Sequence, residues 1–95
     1  MTSFIPPEKI SEIQRSLNII DIVSDYVALK RTGRNFLGLC PFHHEKTPSF
    51  TVNVEKQIYK CFGCGEGGTV FNFLMKQEAL TFPEAVKALA DKANI

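Results

Sequence analysis

The 95 residues are 44% hydrophobic and 22% charged, which suits one small globular domain with a modest core and not a disordered tail. No apolar run approaches the roughly 18 residues of a membrane span, and the N-terminus has neither the basic start nor the apolar block of a signal peptide, so a reduced cytoplasmic location is expected. The net charge of +1 hides an asymmetry: residues 30–60 carry +4, residues 1–29 carry −2 and residues 61–95 carry −1.

In chain order, Pro6 and Pro7 open the first ordered stretch, since proline is tolerated in a first helical turn. Ile10, Ile13 and Leu17 recur at helical spacing with Glu8, Lys9, Glu12 and Arg15 facing outward. A second short helix is expected from Ile19 to Ser24, with Asn18 as its cap. Val27 and Leu29 alternate into a strand, Gly33 turns it, and Phe36 to Leu39 return. Phe50, Val52 and Val54 alternate with Thr51 and Asn53 as a half-buried strand, Glu55-Lys56 turns the chain, and Gln57 to Lys60 follow. Gly65, Gly67 and Gly68 read as a flexible exit, after which Thr69 caps a strongly apolar helix to about Gln77. A last helix carries a capping box, Thr81 with Glu84, and has an apolar face of Phe82, Ala85, Val86, Leu89 and Ala90.

Between these elements stand Cys40, His43, Cys61 and Cys64, a C-x-x-H and a C-x-x-C pair separated by the 17 residues 44–60. A two-residue gap lets two ligands on one tight turn face one ion, and the spacer suits a hairpin that brings a second such turn alongside. Soft thiolates with one imidazole favour a single tetrahedral Zn²⁺, with Zn–S about 2.3 Å and no position left for water, hence a structural site. Disulfides fit poorly, because three cysteines leave one over. His44 is the rival of His43, but Cys40-Pro41-Phe42-His43 mirrors Cys61-Phe62-Gly63-Cys64. The run Gly63 to Thr69 lacks the Gly-Lys-Ser/Thr ending of a phosphate loop, and turning about a metal explains its glycines better. The fold class is therefore α+β: a small antiparallel zinc-ribbon sheet over about 27–66, flanked by short α-helices over about 6–24 and 69–93, in one domain spanning 1–95.

Cys40-Pro41-Phe42-His43, Glu45-Lys46-Thr47-Pro48-Ser49-Phe50, Tyr59-Lys60-Cys61-Phe62-Gly63-Cys64-Gly65 and Gly67-Gly68 together closely resemble the N-terminal zinc-binding domain of bacterial DNA primase. The similarity extends to Ile5-Pro6, Val27 to Lys30, Gly33-Arg34-Asn35 and Phe82 to Leu89, nearly the whole chain. The resemblance implies a piece of a template-dependent RNA polymerase that lays short RNA primers on single-stranded DNA. In that family the zinc domain helps recognise the template and assists initiation, while synthesis belongs to a separate polymerase domain. Nothing in these residues matches that second domain, so the chain by itself is expected to be catalytically silent.

The residues agree with a nucleic-acid role. Single-stranded DNA is held by cations along its phosphates and by aromatics that stack its bases. Lys30, Arg34, Lys46, Lys56, Tyr59 and Lys60 are the candidate contacts, with Arg34, Lys46 and Lys60 foremost for phosphates and Phe62 and Phe36 as further aromatics; Phe50, in phase with Val52, belongs to the core. A merely solvated basic face is the plain alternative. The competing function is a docking module for the polymerase domain or the replicative helicase, supported by the apolar helix 69–77. A metalloenzyme is disfavoured by the closed ligand set.

Overall fold

The computed structural model describes residues 5–95. Met1–Phe4, which enter the signal-peptide reading and the 1–95 domain range, lie outside the described residues. Five short strands form one antiparallel meander in the order β1 (Lys30–Thr32), β2 (Asn35–Gly38), β3 (Phe50–Asn53), β4 (Ile58–Cys61) and β5 (Gly67–Gly68). Helices α1 (Pro7–Ser16) and α2 (Ile19–Val23) precede the sheet, and α3 (Val70–Glu78) and α4 (Phe82–Ala93) follow it. This is the α+β, helix-flanked sheet expected from the sequence.

Because strand side chains alternate between faces, Phe50, Val52, Tyr59 and Cys61 all point to the helical side and are buried. Helix α3 lies against them, α2 and α4 pack on α3, and α1 packs on α4. The centre of this arrangement is Phe73, fully buried, with its ring centroid 5.6–6.0 Å from those of Tyr26, Phe42, Phe50 and Tyr59. Such tilted and edge-on aromatic pairs add to the area they remove from water. Phe42 belongs to the first metal-binding turn, so the aromatic cluster joins that turn to the helices.

The helix ends obey local chemistry. Asn18 accepts the Ile20 N–H at 3.1 Å as the cap of α2, and Thr81 and Glu84 close a reciprocal capping box on α4. At the start of α3, the Asn72 carboxamide accepts the Thr69 N–H at 2.9 Å. Two long-range side-chain bonds tie the helices down. The Tyr26 hydroxyl donates to Glu78 at 2.6 Å, and Gln57, in the β3–β4 turn, accepts the Ile19 N–H at 2.7 Å.

Three local expectations change. Val27 and Leu29 are not strand: the Val27 N–H still bonds the Val23 carbonyl at 2.9 Å, so the chain is turning out of α2 and β1 begins only at Lys30. Val54 falls in the β3–β4 turn rather than in β3. The glycine exit is not free: Gly67 and Gly68 pair with Lys60 and Tyr59 as β5. Small residues are required there, because a Cβ on Gly68 (φ 152°) would sit 2.5 Å from Asn72 Oδ1.

Phe73→Ala is expected to cost about 3–5 kcal/mol, a large fraction of the roughly 5–15 kcal/mol available to a small domain. Denaturant titration against the parent measures this, and the half-exposed Phe82 gives a much smaller loss on the same substitution.

Candidate metal centre and the open sheet face

The two ligand turns are brought together by strand register. Gly38 opposes Phe50 and Phe50 opposes Cys61, so the ends of β2 and β4 lie on either side of β3 at the same edge. Cys40 and His43 sit on the turn leaving β2, and Cys61 and Cys64 on the turn leaving β4. The local geometry repeats: the Phe42 N–H points at Cys40 Sγ at 3.4 Å, and the Gly63 N–H at Cys61 Sγ, also at 3.4 Å. One donor atom from each of Cys40, His43, Cys61 and Cys64 lies within 4.8 Å of the others. Cys40 and Cys64 sulfurs are 3.9 Å apart, close to the edge of about 3.8 Å of a tetrahedron with Zn–S of about 2.3 Å.

The imidazole supplies an independent sign of a missing partner. His43 Nδ1 is buried without a hydrogen-bond partner, while Nε2 lies 3.1 Å from Glu45 Oε1. A buried ring nitrogen with no hydrogen-bond partner, on a histidine clustered with three cysteines, has the chemistry of a metal ligand. His44 is exposed and outside the cluster.

Electrostatics within the set divide the thiols. Burial pushes the Cys40 thiol up to about 12. Burial also raises Cys61, but hydrogen bonds, among them those from the Cys64 and Gly63 amides, outweigh it and bring that thiol down to about 7. Three thiolates this close need a cation among them, and a divalent ion reverses the balance by deprotonating coordinated thiols outright. Nearby, the Ser49 hydroxyl and the Cys40 amide hold the Glu45 carboxyl below the usual carboxylate range. Glu45 is the residue that sequence reasoning missed, although it stands two positions after His43 within the distinctive 45–50 segment.

On the other side of the sheet, Lys30, Leu37, Thr51, Lys60 and Gly67 oppose one another in a single row across all five strands. Thr32, Asn35, Asn53 and Ile58 form the next row. Lys56 and the 73%-exposed Phe62 border the same shallow groove. Lys30, Lys56 and Lys60 are therefore gathered, whereas three other candidates are not. Tyr59 is only 2% exposed: its ring stacks on Phe50 in the core, and burial raises its hydroxyl to about 12. It has no exposed ring surface, whereas the Phe62 ring does. Strand parity with the ligand Cys61 carried this information, because residues two apart share a face. Arg34 lines a separate hollow with Arg31, Phe36 and Val54, and Lys46 is exposed on the loop between the ligand pairs.

The family described as CHC2 zinc finger matches residues 5–95. A DNA primase of Halalkalibacterium halodurans is 56% identical over 95 residues, covering 100% of this chain and 16% of that protein. A DNA primase of Clostridium acetobutylicum is 62% identical over 96 residues, again covering 100% of this chain and 16% of its relative. The crystal structure of the Aquifex aeolicus primase, comprising zinc-binding and RNA polymerase domains, superposes with a TM-score of 0.87 at 40% identity, covering 99% of this chain and 22% of that one. The chain thus spans about a sixth of the length of the curated relatives it matches. With this family match, the cluster is the site of one structural zinc, and its closed donor set leaves the ion no position for a reacting water.

Zinc retention distinguishes the two histidines. In competition with a chelator, His44→Ala keeps one zinc per chain at the parent's affinity, while His43→Ala and Cys61→Ser lose it. Because the thiolates must be free of protons to bind, acid releases the metal: affinity falls as pH is lowered, and does so without a change in ligand identity.

Proposed function

Because this chain belongs to the CHC2 zinc-finger family, the zinc-binding domain of bacterial DNA primases, we propose that it is the template-reading domain of such a primase. It binds single-stranded DNA across its open sheet face and assists primer initiation by a separate polymerase domain, which lies elsewhere in the protein. The observation that carries this is the cross-strand row holding Lys30 and Lys60 on the face away from the helices. Two strands separate these lysines, so a phosphate backbone crossing the sheet meets a cation on each side. Lys56 extends the positive rim, Phe62 offers a face for one base, and Thr51, Asn35 and Asn53 present hydrogen-bonding groups between them. Among the described residues, no carboxylate lines this groove. Cations for phosphates with an aromatic for stacking is the combination that single-strand binders use.

A pure docking role loses its main support. Helix α3 turns Val70, Phe71, Phe73 and Leu74 into the core and has no apolar stripe left to present. The polymerase domain remains the partner that the family suggests, and the replicative helicase is a further candidate.

Salt titration of single-stranded DNA binding tests the reading. Lys30→Ala and Lys60→Ala each weaken binding and reduce the magnitude of the log-affinity versus log-salt slope by about 0.7 per lost phosphate contact. Phe62→Ala costs about 1–3 kcal/mol with the slope nearly unchanged. Tyr59 is not a useful probe, since its truncation opens the core. Parent-like binding by all three variants, with zinc content intact, shows the lysine row to be merely solvated.

A further inference from the structure

The Glu45 carboxylate stands at the junction of both ligand turns without being one of the four ligands. Oε2 accepts the Cys40 N–H at 2.9 Å and the Ser49 N–H at 3.1 Å. Oε1 accepts from the Ser49 hydroxyl and faces His43 Nε2 at 3.1 Å. Cys40 and His43 belong to the first turn. Ser49 reaches the second: its carbonyl accepts the Phe62 N–H at 3.0 Å, and its Oγ lies 3.6 Å from Cys61 Sγ. From the opposite side, Gly63 closes over the same group. A Cβ there would lie 2.8 Å from Ser49 Oγ and 3.0 Å from both Glu45 Oε1 and His43 Nε2.

We infer that Glu45 is the positioning residue of the zinc centre: it fixes His43 in the tautomer whose Nδ1 binds metal, and it locks the two ligand turns together. Only an ionised carboxylate can serve the Cys40 amide and the Ser49 amide and hydroxyl at once while facing His43 Nε2, because it accepts at every position and donates at none. Held against Oε1, the His43 ring keeps its proton on Nε2, which leaves Nδ1 with a lone pair directed among the sulfurs. A glutamine of the same length cannot do this. With its amide nitrogen beside Cys40 and Ser49, it sets donor against donor. Flipped, it sets that nitrogen against Nε2 and drives His43 toward the tautomer with a proton on Nδ1, where the metal must bind. Gly63 is the complementary requirement, since any side chain there displaces the group that holds the ring.

Three measurements on the metal-loaded chain test this, and none depends on catalysis. Long-range ¹H–¹⁵N correlation of the parent is expected to show His43 protonated at Nε2 and metal-bound at Nδ1; binding through Nε2 overturns the inference without any variant being made. In chelator competition, Glu45→Gln is expected to weaken zinc binding ten- to hundred-fold, with Gly63→Ala shifting it in the same direction. In the cobalt-substituted protein the d–d spectrum of Glu45→Gln changes in band position, which a lost surface contact would not produce. Parent-like zinc affinity and an unchanged cobalt spectrum in Glu45→Gln overturn the positioning role. Should that variant fail to fold even with excess zinc, the tautomer of the parent decides alone.

Discussion

Three sulfurs and one imidazole nitrogen within 4.8 Å of one another form a set that cannot persist without a cation. Its members repel when ionised, and they leave a buried ring nitrogen unpaired when they are not. One zinc ion resolves both problems and cross-links the end of β2 to the end of β4 across the strand between them. Structural zinc binding is worth about 10–16 kcal/mol in comparable small sites at neutral pH, against about 5–15 kcal/mol for the whole stability of an ordinary domain. For a sheet of strands two to four residues long, that cross-link is the principal reason for a unique register.

The ligand geometry also sets which face of the sheet does what. Cys61 must turn toward the metal and the helices, so strand alternation turns Tyr59 with it and sends Ile58 and Lys60 the other way. The same parity, carried across the pairing, places Lys30, Thr51 and Lys60 together on the uncovered side. A structural ion thus determines the position of a basic face it never touches. Phe42 extends the coupling inward, since its ring meets Phe50, Tyr59 and Phe73 and ties the first ligand turn to α3.

Much of this is legible in the sequence. The ligand spacing, the capping residues Asn18 and Thr81 and the helical apolar stripes are local signals, and local signals survive without knowledge of the fold. What escaped depends on contacts between segments distant in sequence. Val27 and Leu29 alternate like a strand, yet the turn out of α2 holds Val27 through its amide. Gly67 and Gly68 carry no side-chain pattern at all; their strand exists because β4 offers an edge that only small residues can approach this closely. Arg34 and Lys60 look alike in a list of cations but line different hollows. Glu45 reads as one more charge until its three donors and His43 Nε2 are assembled around it.

Amide hydrogen exchange as zinc is withdrawn tests most directly the claim that the ion sets the sheet. The prediction is that Val52, Tyr59 and Cys61, whose amides lie in the strands bracketed by the ligands, lose protection by orders of magnitude when zinc is removed and regain it when zinc is restored. Amides within α4, farther from the ligands, lose less. Equal protection of the β3–β4 amides in zinc-loaded and verified zinc-free protein would contradict the account, for the register would then be held by packing alone.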